Sequence, residues 1–297
     1  MNQLNDSTVE LLCRQGLEVE DIAGVVRTAL HEDLRYGPDI TTAATVGTSA
    51  VVAGSVVPRE QGVVAGVGVA MAVLDTVLGP GGYRVLSRAE DGDLARPDVA
   101  VLTVHATTAG LLTAERTMLN LLCHLSGVAT ATAAWVAATS GTHCRIRDTR
   151  KTLPGLRQLQ KYAVRTGGGV NHRMGLGDAA LIKDNHVVAA GSVVAALKAV
   201  RAAAPELPCE VEVDSLQQLD EVLAENAELV LLDNFDVAST AEAVRRRDSR
   251  APGTLLESSG GLSLDVAADY AATGVDYLAV GALTHSVTVL DLGLDFG

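Results

Sequence analysis

Aromatic residues make up only 3% of this 297-residue chain, so it lacks the stacking platforms that nucleic acid usually needs. A net charge of −13 adds repulsion from phosphate backbones, and no nucleic-acid partner is expected. Its four cysteines, Cys13, Cys123, Cys144 and Cys209, are scattered with no C-x-x-C pair. That argues against a zinc or redox motif and for free thiols in a reducing cytosol. No run of about 20 apolar residues is free of charge, so no membrane span is expected. Met1 to Glu20 lacks the basic start and apolar core of a signal peptide, and a cytoplasmic location follows. No G-x-G-x-x-G opens a first βα unit, which disfavours a dinucleotide site. A Ser-His-Asp or Cys-His nucleophile set is also missing.

What the chain does have is alanine, valine and leucine enough for a large core, and one charge reversal. Between residues 145 and 183 stand Arg145, Arg147, Arg150, Lys151, Arg157, Lys161, Arg165, Arg173 and Lys183. Only Asp148 and Asp178 oppose them, so this stretch carries +7 and the remainder −20. Gly167-Gly168-Gly169, Asn171 and His172 lie inside it. An acidic protein that gathers its cations this way is built to hold an anion.

The hydrophobic pattern divides the chain. Glu20 to His31 is expected as an amphipathic helix. Strand-like runs Ala50–Val57, Tyr83–Leu86 and Val99–Ala106 flank a helix over Val67–Leu78, an α+β sandwich. Thr113 is expected to cap a helix, Ala114–Leu125, that ends at Gly127, with a second helix over Ala129–Ser140. Six apolar runs with polar or glycine-rich tips then alternate with helices: Cys144–Arg147, Ala179–Ile182, Cys209–Val213, Leu229–Leu232, Thr254–Leu256 and Tyr277–Val280. That rhythm predicts a parallel α/β barrel whose strand tips share one mouth. The expected domains are 1–127 and 128–297, with the C-terminal tail able to return to the first.

The tips carry the chemistry. Arg150 and Arg173 can each grip a carboxylate through a planar fork, although a lone arginine is as often a surface ion pair. Lys183 ends an apolar run, so it needs an anion, or a salt bridge to Asp184 or a neighbouring strand. It is also placed as an imine-forming lysine would be in a barrel lyase. Glu210, Glu212 and Asp214 share one strand face by alternation, and Glu212 is preferred as the functional acid. Glu212 and Asp233 can serve a ribose and a cationic transition state, bind Mg²⁺, or simply pair with Lys151 and Lys183. Ser259-Gly260-Gly261 and Val280-Gly281-Ala282 follow late strands, where barrels often bind phosphate. His172 suits carboxylate binding, proton relay or a structural cap. Arg157, Lys161 and Arg165, four apart, are expected on a helix that sets the local field or a surface between two copies of the chain, some of them in surface ion pairs.

Taken as a set, the motifs resemble quinolinate phosphoribosyltransferase, nearly end to end. They are Glu115-Arg116-Thr117-Met118-Leu119-Asn120, Arg147-Asp148-Thr149-Arg150-Lys151, Gly169-Val170-Asn171-His172-Arg173-Met174-Gly175, Leu181-Ile182-Lys183-Asp184-Asn185-His186, Glu210-Val211-Glu212, Leu232-Asp233-Asn234-Phe235, Ser259-Gly260-Gly261 and Val280-Gly281-Ala282. The resemblance implies an open-faced sandwich followed by an incomplete α/β barrel, and a homodimer with shared active sites that is compatible with a higher assembly. It implies that Arg116 reaches in from the second copy while Arg150, His172, Arg173 and Lys183 hold quinolinate. Lys151, Glu212, Asp233, Ser259, Gly260, Gly261 and Gly281 then face phosphoribosyl pyrophosphate and Mg²⁺, with Thr149, Val280 and Ala282 as further contacts. Lys151, Glu212 and Asp233 are the expected catalytic residues, and Glu212 and Asp233 the metal acids, partly through water or substrate. Two positions depart from the family pattern, Arg35 for a frequent glycine and Leu153 for a frequent threonine.

Overall fold

The computed structural model describes residues 4–297. They form two compact units. One takes the chain through Ala133, together with Leu153–Gly167 and Ser286–Gly297; the other comprises Ala134–Thr152 and Gly168–His285.

In the first unit, β1 (Val51–Pro58), β3 (Tyr83–Arg88) and β5 (Leu102–Thr107) form an antiparallel sheet, and β2 (Gly62–Val63) and β4 (Leu94–Ala95) a small ribbon. The chain's last strand, Leu292–Phe296, pairs along β1 from Gly54 to Pro58, so the tail returns to this sheet. Alternation sets the faces: Leu102, Val104 and Ala106 are buried while His105 is exposed. The helix Val67–Leu78 is where the pattern places it, and Val67 to Asp75 are all buried. It is apolar all round because it is covered all round. Asp91 accepts from Gly66 N at 2.7 Å and Val67 N at 3.0 Å, closing its N-terminus.

Two expectations are corrected here. The helix from Thr108 runs unbroken to Ala138 and does not stop at Gly127. A Cβ on Gly127 would lie 2.3 Å from the carbonyl oxygen of Thr288. This glycine therefore serves a close backbone approach, not a helix end. The helix is long and apolar enough to cross a membrane by length and composition, yet Leu111, Ala114, Met118, Leu122 and Leu125 are buried in protein. The helix Arg157–Thr166 does not offer Lys161 to a surface ion pair, although Arg165 is exposed. Leu159 to Val164 are buried, and Lys161 is fully so.

The second unit is a six-stranded parallel sheet made from β6 (Arg145–Arg147), β7 (Ala180–Ile182), β8 (Cys209–Val213), β9 (Leu229–Asp233), β10 (Leu255–Ser259) and β11 (Tyr277–Ala279). The order is β6-β11-β10-β9-β8-β7. No ladder joins β6 to β7, and a single parallel bridge from Arg147 to Val170 extends the β6 edge. This is an incomplete barrel. Helices Val193–Ala203, Leu216–Ala224 and Val237–Arg250 cover it, opened by Ser192, Ser215 and Asp236 side chains that accept from the first turn. At the strands' N-terminal end, Arg247 binds Asp276 at 2.7 Å and the Thr254 carbonyl at 2.9 Å. That leaves the opposite end for chemistry.

Candidate functional site

The C-terminal strand ends surround a cavity of about 350 Å³ within the second unit. Thr149, Arg150, Lys151, His172, Arg173, Lys183, Glu212, Asp233, Ser259 and Gly260 all line it. A second hollow of about 180 Å³ shares Lys151, Ser259 and Gly260 and adds Gly261, Val280, Gly281 and Ala282. Of the expected site residues, only Arg116 lies elsewhere. It is exposed on the long helix of the first unit, by a hollow that Asp33 and Asp39 also line.

The loop after β6 carries Arg150 and Lys151. Thr149 Oγ1 accepts the Lys151 amide at 3.0 Å, and Thr284 Oγ1 donates to the Lys151 carbonyl at 2.7 Å. The Lys151 stem runs over Gly281, where a Cβ would come within 3.0 Å of Lys151 Cδ. Gly260 has φ +94°, and a Cβ there would fall 2.2 Å from Asn234 Oδ1. Glycine at both loops keeps backbone open to a ligand.

The cationic side is under electrostatic load. Burial, and then the charge of Arg150, lower the Arg173 pKa. Arg150 Nε is buried with no hydrogen-bond partner among the described residues. Two like-charged guanidiniums on one cavity make a receptor for a dianion.

Across the cavity the carboxylates oppose one another. Burial raises the Glu212 pKa, and the Asp233 charge raises it further, while Lys183 acts against both. Lys183 Nζ is 3.7 Å from Glu212 Oε2, and its side chain is 48% exposed. It thus bridges to the neighbouring strand, not to Asp184. A half-exposed ammonium beside a carboxylate is not the desolvated amine that imine chemistry needs. Glu212 and Asp233 are hard oxygen donors on adjacent strands, both lining the cavity, a donor set that suits Mg²⁺.

At the floor of the cavity, which His172 and Glu257 line, lies a cluster whose pairing was not read from sequence. Arg147 Nη1 sits 2.7 Å from Glu257 Oε2 and 4.0 Å from Glu210 Oε2, with its guanidinium 4.9 Å from the Tyr277 ring centre. His172 Nε2 is 2.8 Å from Glu210 Oε2. Burial pushes both carboxyls up to about 7, and for Glu257 the charge of Glu210 adds to the effect. Alternation had put Glu210 and Glu212 on one face, and they do share it, Glu210 deep and Glu212 at the mouth. Asp214 lies past the strand end and is exposed. His285 is also new, lining the smaller hollow beside Lys151. A signal was present for it: it follows Gly281 by one helical turn.

Residues 39–126 match the quinolinate phosphoribosyl transferase N-terminal domain and residues 128–295 its C-terminal domain. A nicotinate-nucleotide pyrophosphorylase [carboxylating] of Mycobacterium leprae is 70% identical over 278 residues, covering 94% of this chain and 98% of that protein. A probable enzyme of the same name from Bacillus subtilis is 38% identical over 89% of each chain. The crystal structure of the nicotinate-nucleotide pyrophosphorylase from Francisella tularensis superposes with a TM-score of 0.89 at 33% identity, covering 95% of this chain and 98% of that one. Fold and cavity together define a phosphoribosyltransferase built on an incomplete α/β barrel. The chain belongs to the quinolinate phosphoribosyltransferase family.

Proposed function

We propose that this chain transfers phosphoribosyl from phosphoribosyl pyrophosphate to quinolinate with loss of CO₂, giving nicotinate mononucleotide and pyrophosphate. The observation that carries this reading is the Arg150–Arg173 pair, two cations held at one cavity against their mutual repulsion. A pyridine dicarboxylate brings two negative charges to match them. Arg150, Arg173 and Lys183 bind its carboxylates and orient the ring nitrogen toward ribose C1. The Ser259–Gly261 and Val280–Ala282 loops take phosphate, and Lys151, between the two hollows, neutralises the departing pyrophosphate. As pyrophosphate leaves, positive charge grows on the ribose, and Glu212 and Asp233 stabilise it. Glu212 and Asp233 would also hold Mg²⁺, which when bound would supply charge neutralisation at the pyrophosphate. Alkylation of the nitrogen makes the ring an electron sink, so the adjacent carboxylate leaves as CO₂ and the ring carbon, which keeps the bonding pair, takes up a proton from solvent. No enzyme nucleophile is required.

The protein acts as a homodimer in this reading, with the exposed Arg116 of one copy completing the cavity of the other. Four free cysteines support a cytoplasmic setting. The test is pyrophosphate and nicotinate mononucleotide formation with both substrates and Mg²⁺. Product that needs both substrates and disappears with chelator is expected; no product under saturation overturns the reading. Mixing inactive Arg116→Ala and Arg173→Ala variants should restore part of the activity, because hybrid dimers contain one intact site. No recovery after subunit exchange would contradict the shared site.

A further inference from the structure

His172 and Arg173 are neighbours at the cavity wall, but their side chains serve different ends. The His172 ring is buried, and both of its nitrogens meet protein groups. Nδ1 accepts the backbone N–H of Arg173 at 2.7 Å. Nε2 lies 2.8 Å from Glu210 Oε2 and 3.7 Å from Glu257 Oε1. A ring nitrogen that accepts an amide hydrogen carries no proton itself. The ring proton therefore sits on Nε2 and is donated to Glu210. A second proton, on Nδ1, would point at the Arg173 amide hydrogen and break that bond.

The backbone around this bond is pinned as well. His172 N donates to Asp148 Oδ1 at 2.9 Å. Met174 N and Gly175 N donate to Asp178 at 2.6 and 2.8 Å. Arg173 Nη1 donates to the Ala179 carbonyl at 2.9 Å. The only two acids in the cationic stretch thus hold the backbone on either side of Arg173.

We propose that His172 is a positioning residue: its imidazole, locked as the neutral Nε2–H tautomer between Glu210 and the Arg173 amide, aims the Arg173 guanidinium and makes no charged hydrogen bond to substrate. This deepens the quinolinate reading and rests on it for the substrate's identity. It also revises the direct substrate contact that family resemblance assigns to His172. The groups around the ring are Glu210 on β8, Glu257 on β10, Arg147 and Asp148 at the end of β6, and Arg173 on its own segment. Two carboxyls against Arg147 would favour an imidazolium, but the Arg173 amide opposes it. Glu257, raised to about 7 by burial, offers another place for an extra proton.

The direct test is ¹⁵N NMR of the histidine rings in the full-length protein, free and saturated with quinolinate, from pH 6 to 8.5, with His172→Gln used for assignment. A neutral Nε2–H pattern is expected throughout, unchanged by ligand. An imidazolium pattern, or conversion to one on adding quinolinate, overturns the proposal. The ligand-free spectrum tests the tautomer even if quinolinate proves not to be the substrate, so the two readings fail separately. Kinetics provide a second test. His172→Gln keeps a donor near Nε2 but loses the acceptor at Nδ1, and should raise the quinolinate KM about tenfold. His172→Asn keeps an acceptor near Nδ1 and should recover most of that loss. The reverse order overturns the proposal, as does an effect of His172→Gln that is fully additive with Arg173→Lys.

Discussion

Replacing Arg173 with lysine keeps the charge and removes the planar fork, so it separates geometry from electrostatics. In the structure Nη1 donates to the Ala179 carbonyl at 2.9 Å, and the planar fork allows the same guanidinium to meet a carboxylate in the cavity it lines. Lysine cannot do both. The substitution removes at least one charge-assisted hydrogen bond, about 1.5–3 kcal/mol, which is roughly a 10- to 150-fold loss of quinolinate affinity. Thermal shift reads this directly. At a ligand concentration 100 times the wild-type Kd, binding stabilises wild type by about 2.7 kcal/mol. A variant 100-fold weaker gains only about 0.4 kcal/mol from the same ligand. Several degrees of quinolinate-induced stabilisation should therefore shrink to about one. High salt should shrink the wild-type shift too, because the binding is between charges. Wild-type affinity in Arg173→Lys, by calorimetry as well as by Tm, would refute the role given to the fork.

Gly127→Ala should destabilise by roughly 1–3 kcal/mol through overpacking, since the new Cβ meets the Thr288 carbonyl at 2.3 Å; an unchanged Tm would mean that the helix and the 288–290 segment do not approach as described. Glu212→Gln combined with Asp233→Asn should lower the rate of pyrophosphate release about 100-fold or more, with quinolinate affinity within about threefold of wild type. Equal losses in both would place these acids in quinolinate binding instead. The Glu257 carboxyl is raised by burial from 4.5 to about 7, so the native state holds its proton more tightly than the unfolded chain does. That contribution to stability is complete below about 4.5 and is lost as pH rises through about 7, on the order of 3 kcal/mol. Tm measured from pH 5 to pH 7.5 should therefore fall less steeply in Glu257→Gln than in wild type, and identical slopes would contradict the assignment.

The barrel and its mouth were legible because both obey one-dimensional rules. A parallel strand buried on both faces is a short apolar run, and the polar residue that follows it is the tip. Hence Thr149, Arg150, Lys151, Lys183, Asp233 and the Ser259 loop gathered where expected. Strand spacing already preferred Glu212 over Glu210, and the family resemblance implied the same choice. The failures share a cause. Gly127 follows the helix-end rule, and only its contact with the distant Thr288 shows why glycine is needed inside a helix. Arg147, Glu210 and Glu257 are charged residues within strands: Arg147 is tolerable in the interior because it faces both carboxyls, and they because they face Arg147 and His172. Their partnership joins positions far apart in the chain, and no local pattern records it. Lys161 is the same case in the first unit: a cation at helical spacing from Arg157 and Arg165 looks solvated, yet it is fully buried.

Quinolinate labelled with ¹³C in the carboxylate next to the ring nitrogen gives the most direct test of the central claim. With phosphoribosyl pyrophosphate and Mg²⁺, the account predicts labelled CO₂ and pyrophosphate in equal amounts, and nicotinate mononucleotide free of label. Pyrophosphate without labelled CO₂, or label retained in the nucleotide, would contradict it.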